Sequence, residues 1–120
     1  MAALASGNLQ ARPLPRIYEA TFGTGGDVVR GIEITAVDAV AERKTGRDVV
    51  VCGPNLNDNR DLAKSIETAA NGNCKACPPH VAMGPGALPH FQPDPRPPAG
   101  HCFYETTTRK SKMAKASKKL

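Results

Sequence analysis

The chain of 120 residues carries 16 Lys and Arg against 11 Asp and Glu, a formal net charge of +5, with 40% apolar residues, 4% aromatics and no Trp. That length allows one small domain, whose core has to be built from Val, Ile, Leu and Ala. No stretch approaches the ~18 consecutive apolar residues of a membrane-spanning helix, and residues 1–7 lack the basic start and apolar run of a Sec-type signal peptide.

Residues 1–31 read as a lead-in segment. Pro13, Pro15, Gly23, Gly25 and Gly26 interrupt any period there, although residues 16–22 suit a short strand added to a sheet. A domain is expected over 32–108. Thr35 followed by Asp38 predicts a capped helix start, Ala36, Val37, Ala39 and Val40 mark its apolar face, and Gly46 supplies a left-handed stop. The β-branched run at 48–52, ended by Gly53 and Pro54, predicts a buried strand. After an Asn/Asp-rich turn, Leu62, Ala63, Ile66, Ala69 and Ala70 predict a second helix over about 59–70, closed by Asn71, Gly72 and Asn73.

Eight of the eleven prolines fall between Pro78 and Pro98. Proline lacks an amide donor and fixes φ, so this window is expected to be a long, stiff loop with neither helix nor interior strand. A loop of that length inside a small domain marks a functional segment or disorder. It leads into alternating residues at 101–106, which predict a two-faced strand. The sum is an α+β fold: two helices on a small, mostly antiparallel sheet, with a long Pro/His-rich loop.

Residues 109–120 hold Arg109, Lys110, Lys112, Lys115, Lys118 and Lys119 and no acid. The first 108 residues therefore carry ten basic and eleven acidic side chains, close to neutral. The basicity is expected to be that of a disordered tail with weak attraction for polyanions, not of a folded basic face.

Cys52, Cys74, Cys77 and Cys102 leave three states open: reduced thiols, a disulfide framework, or a zinc site started by Cys74, Cys77 and His80 and closed by His90, His101 or Cys102. A structural zinc site usually shows a second paired cluster, which is missing, so reduced thiols are expected. Cys102 and His101, as strand neighbours, point to opposite faces and form no catalytic dyad by themselves.

All three histidines, His80, His90 and His101, lie within 22 residues. Histidine exchanges protons near neutrality. Two histidines could remove the proton of a ribose 2′-hydroxyl and protonate the leaving 5′-oxygen, cleaving RNA without a metal or a protein nucleophile. Arg96 or Lys75 would hold the phosphoryl oxygens. Equally, histidines in such a loop could simply bind backbone. No phosphate-binding glycine loop, zinc-protease signature or serine-hydrolase elbow is present.

The run at 48–53, the stretch from Asn59 to Glu67, the stop Ala70-Asn71-Gly72, and then Pro79-His80, Pro89-His90-Phe91-Gln92-Pro93 and Gly100-His101-Cys102-Phe103-Tyr104 resemble the C-terminal toxin domains of bacterial polymorphic toxins. These are the variable tips of Rhs-repeat and contact-dependent-inhibition effectors, and the resemblance spans residues 35–105. It implies a metal-independent ribonuclease, a hydrolase used in bacterial competition, delivered into the cytoplasm of a target cell and neutralised by a cognate immunity protein. His80, His90 and His101 would be catalytic, with Tyr104 and Arg96 in support. The Lys-rich extension after Thr108 departs from the pattern, and Cys74 with Cys77 would suit a zinc variant. A monomer without cofactor is expected. The competing expectations are a non-catalytic nucleic-acid-binding or zinc-stabilised interaction module, and a metal-dependent DNase.

Overall fold

The computed structural model describes residues 13–23, 27–79 and 87–113. Its seven strands are β1 (Arg16–Phe22), β2 (Val28–Ile34), β3 (Val49–Cys52), β4 (Cys74–Cys77), β5 (His90–Pro93), β6 (Cys102–Tyr104) and β7 (Lys112–Met113). Two helices, α1 (Ala36–Lys44) and α2 (Leu56–Asn71), precede and follow β3. The strands form one mixed sheet in the order β4-β5-β6-β3-β1-β2-β7. Only the β3/β6 and β2/β7 pairings are parallel. The α+β class and the two helices on a mostly antiparallel sheet are as expected.

Local chemistry explains the two helices. Thr35 caps α1 by accepting a hydrogen bond from the Asp38 amide at 3.1 Å, and Gly46, at φ +86°, takes the left-handed conformation that ends it. Helix α2 starts earlier than its apolar period suggested because Asn55 serves as its cap, accepting from the Asp58 amide at 3.0 Å. Both helices cover the same sheet face. Ala39, Ala63 and Ile66 pack there against Ile17, Val49, Val51, Phe91, Cys102 and Tyr104. Burying each large apolar side chain contributes roughly 1.5–3 kcal/mol.

A buried ion pair locks the helices together. Arg43 Nε donates to Glu67 Oε1 at 2.7 Å, and both side chains are fully buried. Arg43 Nη2 donates to Glu67 Oε2 at 3.3 Å, Nη1 reaches the carbonyls of Arg47 and Ala99, and the Asn71 side-chain amide donates to Glu67 Oε2 at 2.8 Å. Helix α1, helix α2 and the chain entering β6 are thus tied at one point.

Strand β3 is buried on both faces. On the helix-free face Val50 and Cys52 pack with Tyr18, Ala20, Val28, Leu88 and Phe103. From β6 the chain passes β3, β1 and β2 on this side to reach β7 at the far edge of the sheet, and it is pinned on the way. Ser111 donates its amide to Glu105 at 2.9 Å, while its hydroxyl oxygen accepts from Arg30 Nε at 2.8 Å. The Lys112 ammonium lies 2.7 Å from Asp27.

Two boundaries and one element need correction. Strands β1 and most of β2 fall within the expected lead-in at 1–31, yet β1 lies between β3 and β2 inside the sheet. Residues 109–113 are the second correction: Ser111 is buried and β7 pairs with β2, so the ordered chain continues beyond 108. The third is β5, an interior strand within the proline-rich window. It forms because Pro89 and Pro93 bracket His90, Phe91 and Gln92, which keep their amides. Residues 80–86 of that window, His80 among them, lie outside the described residues, as do Lys115, Lys118 and Lys119.

Candidate active site

The strand pattern brings two of the three histidines together. His90 opens β5 directly opposite Phe103 of β6. His101 stands two residues before Phe103, hence on the same face by strand alternation. The imidazole rings meet edge to face with centroids 4.7 Å apart. Phe103 at 5.1 Å and Phe22 at 6.0 Å complete an aromatic surround for His101. All four rings sit on the helix-free face.

His101 is fixed from behind by a residue that was not singled out in the sequence. Asp48 Oδ1 accepts the His101 backbone amide at 2.8 Å and lies 3.1 Å from its Nδ1. The Val49 amide in turn donates to the His101 carbonyl at 3.2 Å. Asp48 therefore favours the tautomer carrying a proton on Nδ1 and leaves Nε2 to exchange protons. An acid at the mouth of the all-apolar run at 49–52 was the only available signal for it.

Gly100 sets the approach of the chain. Its φ is +88°, and any side chain there would collide with the Gly46 carbonyl and the Arg43 guanidinium. The Gly-His step thus docks on the end of α1 and turns His101 toward Asp48. Arg96 Nη2 donates to the Gly100 carbonyl at 2.9 Å, which places this exposed cation one residue from the histidine.

His101 keeps 24% of its side chain exposed, whereas His90 is 1% exposed and has its Nδ1 3.4 Å from the Leu88 carbonyl oxygen. His101 is accordingly the more accessible of the two. Lys75 is exposed on edge strand β4, opposite Gln92 and on the face shared by Cys77 and His90. Tyr104 is not brought to the histidines. It is buried on the helix side with Phe91, ring centroids 5.7 Å apart, where it serves the core.

The four cysteines are free. Cys77 pairs with His90, while Cys74, three residues earlier, packs against the helix-side cluster. An odd spacing on a strand sends the two thiols to opposite faces, so the structure does not bring Cys74 and Cys77 together. Among the described residues no three His, Cys, Asp or Glu side chains stand together as a metal-binding group. Burial pushes the Cys52 thiol up to about 12 and raises Cys102 well above the ordinary thiol value. Neither is a ready nucleophile.

Comparison with protein-family models, with curated proteins and with solved structures gives no match. Among the described residues no helix is long and apolar enough to cross a membrane.

Proposed function

We propose that this chain is a toxin domain that cleaves RNA by proton transfer through His101 and a second histidine. It would act in the cytoplasm of a target cell and be held in check by a cognate immunity protein. The observation that carries this reading is the double contact of Asp48 with His101, which fixes the backbone and orients the imidazole. One proton-transfer group takes the proton of the ribose 2′-hydroxyl, and the 2′-oxygen attacks phosphorus. The bond to the 5′-oxygen breaks, and a second group supplies that oxygen with a proton. The products are a 2′,3′-cyclic phosphate and a free 5′-hydroxyl, with no metal in the step. His101 meets the substrate, His90 and His80 are the candidates for its counterpart, and Arg96 and Lys75 are the cations for the phosphoryl oxygens.

A second reading is nucleic-acid binding without cleavage. It is favoured by Phe22, 52% exposed beside the histidines and able to stack on a base. Incubation with total RNA in the presence of EDTA separates the two. Defined fragments ending in cyclic phosphate support cleavage. A mobility shift without fragments supports binding alone, and cleavage abolished by the chelator would replace the His mechanism with a metal-dependent one.

A further inference from the structure

The helix-free face carries a second feature about four residues along β6 from His101. A groove of about 360 Å³ opens there, lined by Arg16, Tyr18, Arg30, Cys52, Glu105 and Lys110 with the Gly53–Pro54 turn. Three cations face one carboxylate, and that carboxylate is already engaged. Glu105 Oε2 accepts from Arg30 Nη2 at 2.7 Å and from the amide and hydroxyl of Ser111. Glu105 is therefore an anchor, and the charge left to face the groove is positive.

Arg30 is held in place on every side. Its Nε donates to Ser111, its Nη2 to Glu105, and its guanidinium lies 5.3 Å from the centre of the Tyr18 ring. Nη1 remains for a ligand. A guanidinium fixed by its neighbours loses little conformational entropy on binding an anion, and its planar donors match phosphate oxygens. Lys110 and Arg16 flank it as exposed cations, Arg16 sharing a surface pair with Glu33 at 3.2 Å. The Cys52 thiol, neutral at physiological pH, adds no competing charge.

His101 and Glu105 flank β6 on one face, roughly 13 Å apart at about 3.3 Å per strand residue. An extended single strand can span that distance. We propose that the Arg16–Arg30–Lys110 groove binds a backbone phosphate of a nucleic-acid strand whose neighbouring segment lies at the histidines. The identity of the ligand as RNA rests on the cleavage reading; the anion chemistry of the groove rests on the groove alone.

The test is a fluorescence-anisotropy titration of a single-stranded oligonucleotide with every 2′-hydroxyl methylated, which cannot be cleaved through its 2′-oxygen. Full-length protein is compared with the Arg16→Ser, Lys110→Ser double variant, whose changes lie on exposed side chains, and with Arg16→Lys, Lys110→Arg. The double serine variant should bind about tenfold more weakly at low salt, and its log K against log salt should be shallower by about 0.7 for each cation removed. The charge-conserving variant should retain both values. Unchanged affinity and slope in the serine variant would overturn the proposal. Inorganic pyrophosphate should compete with the oligonucleotide; pyrophosphate binding lost in the serine variant while oligonucleotide binding persists would assign the groove to a small phosphate ester and overturn the strand assignment. Normal cleavage of unmodified RNA by His101→Ala would sink the catalytic reading and leave this binding measurement intact.

Discussion

Asp48 and His101, 53 residues apart in sequence, are joined by two contacts to one carboxylate oxygen, at 2.8 Å from the backbone amide and 3.1 Å from Nδ1. The first contact holds the chain and the second holds the ring. The parallel pairing of β3 with β6 makes this possible, because it sets the entrance of one strand beside the entrance of the other.

Asp48→Asn keeps the shape of this pair and removes the charge. RNA cleavage should fall roughly tenfold to a hundredfold, a part of the 10²–10⁴-fold that a positioned acid–base group typically contributes. An unchanged rate would mean that Asp48 serves only to hold the backbone.

The Arg43–Glu67 pair governs stability and not chemistry. Glu67→Ala leaves a buried guanidinium without its carboxylate and should cost roughly 3–5 kcal/mol in urea unfolding, whereas the double change Arg43→Met, Glu67→Leu should cost much less. Equal losses in the two proteins would show that packing, and not the unpaired charge, dominates at this position.

Glu105 should make stability depend on acid. Burial alone would raise its carboxyl, but the Ser111 hydroxyl, Arg30 and the Ser111 amide outweigh burial and hold it below its ordinary value of 4.5. A group depressed in the folded state contributes stability above its unfolded pKa and loses it as pH falls through the folded one. The urea midpoint of the wild type should exceed that of Glu105→Gln at pH 7, and the gap should narrow below about pH 4.5. A gap that stays constant into more acidic buffer would remove the carboxylate from the account.

Truncation distinguishes the two parts of the basic C-terminal segment. Ending the chain after Met113 removes Lys115, Lys118 and Lys119 and should weaken RNA binding at low salt while sparing cleavage at saturating RNA. Ending it after Thr108 also removes Ser111 and β7, and should lower the melting temperature by several degrees, of the order expected for a loss of 1–2 kcal/mol. Equal melting temperatures in the two truncations would show that the pinned crossing contributes nothing to stability.

The parts of the fold legible in sequence are those written by local chemistry. Thr35 with Asp38, Gly46, and the β-branched run at 49–52 each signal through neighbours within a few residues, and the helix-strand-helix unit follows from them. What was not legible depends on pairing across the chain. Lys112 and Met113 have no strand pattern of their own and become β7 only beside Val29 and Arg30. Strand β5 was hidden by prolines that prove to bracket it. The histidine cluster was visible as a composition bias, but neither Asp48 nor the engagement of Arg30 by Glu105, 75 residues on, could be read without the sheet order. The resemblance places Tyr104 with the histidines, and strand alternation carries it to the other face.

The most direct measurement is growth of bacteria expressing the chain as wild type, His101→Ala or His90→Ala, at matched levels of folded protein, with cellular RNA examined for new ends. Growth arrest and cyclic-phosphate ends are expected with the wild type and neither with His101→Ala, and at least a strong reduction with His90→Ala. Growth arrest and RNA cleavage at wild-type levels in both single variants would contradict the proposed mechanism.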